Sequence, residues 1–120
     1  MVDYARLGPS DGERLDELNR FFARVFPDPD ILDCSGASVR QRADWLGDER
    51  KVALVALHEE AVVGGLVAYR LDKIEGRREF YIYDLTVDEL HRRQGVATKL
   101  IEVLGDIARH AGAWAVYVQA

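Results

Sequence analysis

Little in this chain invites a staple, a membrane or a nucleic acid. It carries one cysteine, Cys34, so no internal disulfide can form and the sequence suits a reducing compartment. No apolar run approaches the roughly 18 residues that a membrane span requires. The start, Met1-Val2-Asp3-Tyr4-Ala5-Arg6, lacks the apolar stretch of a signal peptide. A cytoplasmic location with no membrane partner is the expectation. An excess of basic residues is missing as well: the net charge is −5 and the pI near 5.2. Nucleic-acid phosphates demand a broad basic surface, so that class is disfavoured, while a cationic partner is left open. Neither the Walker pattern nor Gly-x-Gly-x-x-Gly occurs, and there is no internal repeat or low-complexity segment.

What is present suits one globular domain. The 120 residues are 48% apolar and 31% charged, enough for a single hydrophobic core spanning residues 1–120. Residues 2 to 7 read as a short strand ended by Gly8-Pro9. Ser10-Asp11-Gly12-Glu13 has the spacing of a capping box, and Leu15, Leu18, Phe21, Phe22, Val25 and Phe26 follow at helical spacing until Pro27 and Pro29. Asp28, Asp30 and Asp33 lack the glycine and terminal Glu of a calcium loop and read as a solvated acidic loop. Ser38 to Leu46 reads as a second helix with Val39, Ala43 and Leu46 on one side and Trp45 packed in the core.

Residues 51 to 57 and 61 to 70 flank His58-Glu59-Glu60 as an antiparallel hairpin. Gly64 and Gly65 in its second strand predict a bulge or a close backbone approach. Residues 79 to 87, Glu-Phe-Tyr-Ile-Tyr-Asp-Leu-Thr-Val, form an aromatic and β-branched strand, apolar on both faces and hence central in the sheet. From Gly95 to about Ala111 a helix buries Ala97, Leu100, Ile101, Leu104, Ile107 and Ala108, stopping at Gly112. Trp114 to Val118 is a last strand, parallel to the central one because a helix joins them.

The most informative stretch joins that central strand to that helix. His91-Arg92-Arg93-Gln94-Gly95-Val96-Ala97 is a basic, glycine-containing turn opening a helix. A helix start leaves backbone N–H groups without partners and carries a positive dipole end, which together bind anions. Arg92 and Arg93 add positive charge, and Gly95 removes a Cβ that would hold a pyrophosphate away.

Strand, Arg92-Arg93-Gln94-Gly95-Val96-Ala97 and helix resemble the acetyl-CoA-binding motif of the GCN5-related N-acetyltransferases (GNAT), Q/R-x-x-G-x-G/A, and the order of elements matches that superfamily along the whole chain. Ile82-Tyr83-Asp84-Leu85, His91 to Gly95, Ala97-Thr98 and Tyr117-Val118-Gln119-Ala120 further resemble the type I aminoglycoside (gentamicin) 3-N-acetyltransferases, as do Arg6-Leu7-Gly8-Pro9 and Glu60 to Gly64. The fold implied is α+β, a mixed, mostly antiparallel central sheet flanked by helices. The family continues past its last Val-Gln-Ala with an acidic loop, a tyrosine-bearing helix and two strands. This sequence stops at Ala120, so the implied fold is C-terminally shortened, without the region that would cover the pantetheine and could supply the general acid.

The resemblance implies acetyl-CoA as cofactor and a small cationic aminoglycoside as substrate; the alternatives are an acetyltransferase for a polyamine or other small amine, or a non-catalytic CoA-binding module. Its cofactor residues are Leu85, Thr86, Val87, Arg92, Arg93, Gln94, Gly95, Val96, Ala97 and Thr98. Leu85 would use its backbone N–H to polarise the thioester carbonyl. Asp84, an anion in an otherwise apolar strand, stands where the family has its base; a strand-end carboxylate satisfied by backbone or arginine is the alternative. Glu79, Tyr83, Asp84 and Gln119 would meet the substrate. Glu79 could bind a second amine or act through water, or equally face Arg77 or Arg78, and Tyr83 could simply pack. Because side chains alternate along a strand, Tyr83 and Asp84 can share a face only if a bulge intervenes. His91 on the phosphate turn is not expected to act as a base. No metal is implied. The last strand, left with an open edge, offers a place for a second copy, a homodimer.

Overall fold

The computed structural model describes residues 1–26 and 38–118. Cys34, Gln119 and the loop carboxylates Asp28, Asp30 and Asp33 lie outside them. In chain order the elements are β1 (Asp3–Arg6), α1 (Gly12–Val25), α2 (Val39–Gly47), β2 (Lys51–His58), β3 (Ala61–Asp72), β4 (Arg78–Val87), a 3₁₀ turn (Glu89–His91), α3 (Val96–His110) and β5 (Ala115–Val118). The strands form one sheet in the order β1-β2-β3-β4-β5. The first three pairings are antiparallel and β4–β5 is parallel, giving the expected mixed α+β architecture.

Alternation along β2 divides the core. Val52, Leu54 and Ala56 join Leu66, Ala68, Phe80 and Ile82 beneath Leu100, Leu104 and Ala108 of α3. Ala53 and Val55 join Val67 beneath Leu18, Phe21 and Phe22 of α1 and Leu46 of α2. The sheet is thus covered on both faces, which is why β2 reads as a continuous apolar run rather than an alternating one.

Local chemistry departs from the sequence expectations at several points. No capping box forms at Ser10. Asp11 is the cap of α1, and its carboxylate accepts the Gly8 N–H at 2.7 Å, tying it back into the preceding turn. The capping box is instead at α2, where Ser38 Oγ accepts the Gln41 N–H at 3.0 Å and Gln41 Oε1 accepts the Ser38 N–H at 2.7 Å. Val39 does not join the buried side of that helix; it is exposed, as is Ile101 on α3, whose buried stripe starts at Val96 instead. A helix a few turns long follows its packing partner, and 3.6-residue periodicity does not fix the edge of the stripe.

The two-residue turn Glu59-Glu60 has φ of 50° and 67°, positions that favour glycine or asparagine in such hairpins. Arg14 of α1 holds it, donating from Nη1 to the Glu60 carbonyl at 2.9 Å and from Nη2 to its carboxylate at 3.2 Å. The paired glycines meet both earlier expectations. Pairing shifts register between Ala56 and Leu57. A Cβ on Gly65 would lie 2.2 Å from Leu18 Cδ1, and one on Gly64 would lie 3.1 Å from Val96 Cγ1. Gly64 therefore lets the first residue of α3 press onto the sheet.

Candidate active site

β5 is short and pairs only with Glu79 to Ile82 of β4. Beyond that point Tyr83 to Val87 keep β3 on one side and, among the described residues, face no strand on the other. The sheet opens there into a notch. At its far end stands the basic turn.

The register of β4 decides what looks into the notch. Asp84 pairs with Val67 while Ile82 pairs with Ala68, so Tyr83 is an extra, bulged residue. Directly paired residues share a face. Asp84 thus lies with Val67 on the α1–α2 side, and Tyr83, whose ring meets Tyr69 edge-on at 4.9 Å, lies there too. The bulge that the two side chains need in order to act together is present. Asp84 is half-buried without a salt-bridge partner among the described residues, and burial pushes its carboxyl above the ordinary aspartate value.

Backbone direction follows from two hydrogen bonds. The Asp88 N–H donates to Val63 on β3 at 2.7 Å, whereas the Val87 carbonyl turns away and accepts from Arg92 Nε at 2.9 Å. N–H and C=O of one residue point to the same side of an antiparallel strand and alternate from residue to residue. Leu85, two positions before Val87, therefore directs its backbone into the notch beside Asp84. Thr86 directs its backbone to β3, so of the expected strand contacts to the cofactor, Leu85 and Val87 have the edge-facing amides.

In the turn, Arg93 and Gly95 take left-handed conformations, with φ of 65° and 80°. Nothing lies within 4 Å of where a Cβ on Gly95 would be. The first helical bond is donated by Lys99 to Gly95 at 2.9 Å, and the N–H groups of Arg93 to Thr98 have no acceptor among the described residues. Consecutive amides without acceptors, at the dipole-positive end of a helix and beside open space, suit a pyrophosphate. Gln94, Gly95, Val96, Ala97 and Thr98, expected at the cofactor, present these backbone amides. Val96 cannot contribute otherwise, since its side chain is core. Arg92 is fixed to the strand end by its Nε, while the Arg93 side chain is exposed.

His91 has a structural partnership. Its Nδ1 lies 3.2 Å from an Asp88 carboxylate oxygen, and its ring leans on His58 at 5.2 Å. Glu79 faces neither Arg77 nor Arg78. It is buried at 3% exposure, accepts the Tyr81 hydroxyl at 3.1 Å and lies 3.7 Å from Lys73 Nζ. At that exposure an amine in solvent has little direct access to Glu79, so of its two expected roles the one through an intermediary fits its burial. Trp45, expected in the core, packs at its edge with its ring edge-on to Tyr69 at 6.0 Å. Tyr69 and Tyr81 line the same face, a feature hidden in the sequence because it depends on strand register. Among the described residues no group of three or more His, Cys, Asp or Glu side chains could hold a metal ion, and no helix is long and apolar enough to cross a membrane.

The profile of the acetyltransferase (GNAT) family matches residues 15–120. An aminoglycoside acetyltransferase from an uncultured soil metagenomic sample is 37% identical, with a TM-score of 0.89 over 100% of this chain and 80% of that one. A second from such a sample, solved in complex with sisomicin, is 31% identical, with a TM-score of 0.87 over 99% of this chain and 77% of that one. A ribosomal-protein-alanine N-acetyltransferase from Brucella melitensis biovar Abortus 2308 is 26% identical, with a TM-score of 0.73 over 100% of this chain and 80% of that one. No curated protein matches.

Proposed function

This chain belongs to the acetyltransferase (GNAT) family, whose members use acetyl-CoA, and from that premise we propose that it acetylates the 3-amino group of the 2-deoxystreptamine ring of aminoglycosides such as gentamicin. Such an activity would confer antibiotic resistance, and we place it in the cytoplasm. One observation carries the reading: the Tyr83 bulge sets a half-buried carboxylate, Asp84, immediately beside the outward-facing backbone of Leu85. Likeness to two aminoglycoside acetyltransferases supports the substrate class.

Acetyl-CoA supplies an acyl group already activated as a thioester, so the protein's work is to hold, orient and deprotonate. The amides from Arg93 to Thr98, with the Arg92 and Arg93 side chains, bind the phosphates. The edge amides of Leu85 and Val87 hold the arm between phosphates and acyl group, Thr86 keeping that segment of β4 on β3. The Leu85 N–H donates to the carbonyl oxygen as negative charge grows on it.

An aminoglycoside amine is mainly an ammonium at neutral pH and cannot attack in that form. Asp84 first pairs with the ammonium and then accepts a proton from it. Its burial helps, because a carboxylate poorly solvated at rest is a stronger base than one in water. Tyr83, more than half exposed beside it, offers a ring face and a hydroxyl to the sugar. Gln119, outside the described residues, is assigned to the substrate on the family resemblance alone. The outer edge of β5, unpaired among the described residues, is proposed as a homodimer contact, which sedimentation would detect.

A thiol-release assay with acetyl-CoA tests the reading, using gentamicin, an analogue blocked at its other primary amine, and spermidine. Turnover of both drugs with acetylation at the 3-amino position is expected. Good turnover of spermidine beside none of gentamicin would transfer the activity to small polyamines.

A further inference from the structure

Glu79 is a buried carboxylate on the same strand as Asp84, next to the core residue Phe80. Burial of a carboxylate is costly unless it is paired and hydrogen-bonded. Its ion-pair partner, Lys73, sits on the exposed connection 73–77, whereas the bond from Tyr81 is internal to the strand. That bond commits the Tyr81 proton to Glu79. The phenolic oxygen then has only lone pairs to offer, and a charge-assisted bond makes them better acceptors. A hydroxyl constrained in this way selects for a donor, above all a cationic N–H.

Its surroundings suit an amino sugar. The Tyr81 ring stacks on Tyr117 of β5 at 5.2 Å, Tyr81 pairs across strands with Tyr69, and Tyr69 touches both Tyr83 and Trp45. These rings form an aromatic floor with Asp84 near one end and the Tyr81 hydroxyl near the other. A strand rise of about 3.3 Å per residue, with the bulge between them, sets the backbones of the two residues roughly 7–10 Å apart. Amines carried on different rings of an aminoglycoside are separated by such a span, whereas those on one ring are closer together.

We propose that Tyr81, oriented by Glu79, is a second ammonium contact, holding an amine of the acceptor other than the one being acetylated. Glu79 is then a positioning residue acting through Tyr81. The inference rests on the acceptor class proposed above and adds a specificity determinant to it. Lys73 competes with the substrate for the negative charge of Glu79, so its removal should act in the opposite direction.

The test compares the unmutated chain with Tyr81→Phe, Glu79→Gln and Lys73→Ala, by steady-state kinetics with gentamicin and by calorimetric titration of gentamicin into the CoA-saturated protein. Losing a hydrogen bond to a charged group should raise KM and Kd roughly tenfold in Tyr81→Phe, with kcat within about threefold. Glu79→Gln should raise KM as well and add little when combined with Tyr81→Phe. Lys73→Ala should lower KM, and because Lys73 is exposed it keeps the test readable if a strand variant loses the fold. CoA affinity should be equal in all. A Tyr81→Phe protein with unchanged Kd, or a Lys73→Ala protein that binds gentamicin more weakly, overturns the proposal. Kd is read without turnover, so failure of the unmutated chain to acetylate gentamicin would refute the reaction assigned above while the titration still decides the role of Tyr81.

Discussion

Replacing Asp84 by Asn separates chemistry from architecture. The substitution keeps size and hydrogen-bonding capacity but removes the charge, at a residue with no ion pair among the described residues to break. A positioned general base is worth on the order of 10²–10⁴ in rate, which at about 1.4 kcal/mol per tenfold is roughly 3–5 kcal/mol of barrier. We expect kcat with gentamicin to fall by that factor, with CoA affinity unchanged. Stability should move the other way. Burial raises the folded-state pKa of Asp84 above its unfolded value, so the ionised carboxylate weighs against folding once pH exceeds the folded value and has no effect below the unfolded value. Asp84→Asn should therefore melt no lower than the unmutated chain at pH 7, and the difference should vanish below about pH 3.9. The rate profiles should differ as well. The unmutated enzyme should lose activity as pH falls through a value above the ordinary aspartate range. The Asn variant should follow the free-amine concentration, rising about tenfold per pH unit as expected for an uncatalysed proton loss. Thiol release across pH and differential scanning calorimetry measure these quantities. A variant retaining kcat within threefold of the unmutated chain would refute Asp84 as the base.

Other perturbations test the scaffold. In Gly95→Ala no contact opposes the methyl group, but φ of 80° does; the left-handed cost of roughly 1–2 kcal/mol should lower Tm by a few degrees, and calorimetry should show weakened CoA binding. Gly65→Ala would drive a Cβ into Leu18 of the closed α1 face, an overpacking cost of about 1–3 kcal/mol visible as a lower urea midpoint, with CoA affinity of the folded fraction retained. Arg14→Ala removes the clasp on the Glu59-Glu60 turn; we expect a loss of about 1 kcal/mol and faster amide exchange at the β2–β3 turn, with CoA binding unaffected.

Much of this organisation is visible in the residues. The helix of α3 and its phosphate turn follow from Arg92 to Ala97 and the spacing of Leu100, Leu104 and Ala108, because local periodicity and turn chemistry are properties of neighbours in the chain. The paired glycines announce a close approach for the same reason. What escapes is everything set by register. Whether Glu79 faces solvent or the interior, and whether Tyr69, Tyr81 and Tyr83 share a floor, depend on which residue of β3 lies opposite which residue of β4. Sliding that pairing by one position reverses every side chain. The bulge at Tyr83 is legible only as a requirement of the chemistry. The cap of α1 escapes for a smaller reason: Asp11 has two turns competing for its carboxylate, and the Gly8 amide wins.

The notch opposite β5 is also a ruler. Asp84 and Leu85 stand at one end of a stretch of β4 and the acceptor-free amides of the basic turn begin just past its other end, with Val96 pinned to the sheet through the gap left by Gly64. Neither end can drift relative to the other, because rigid strand and packed helix fix the interval between them. With the roles proposed for the two ends, an acyl donor would be measured by length before it is read chemically: only one whose reactive carbon lies that far from its phosphates would satisfy both ends at once. Inserting a residue between Leu85 and Asp88 would leave each half intact and able to bind its own fragment, yet the two would no longer meet on one molecule.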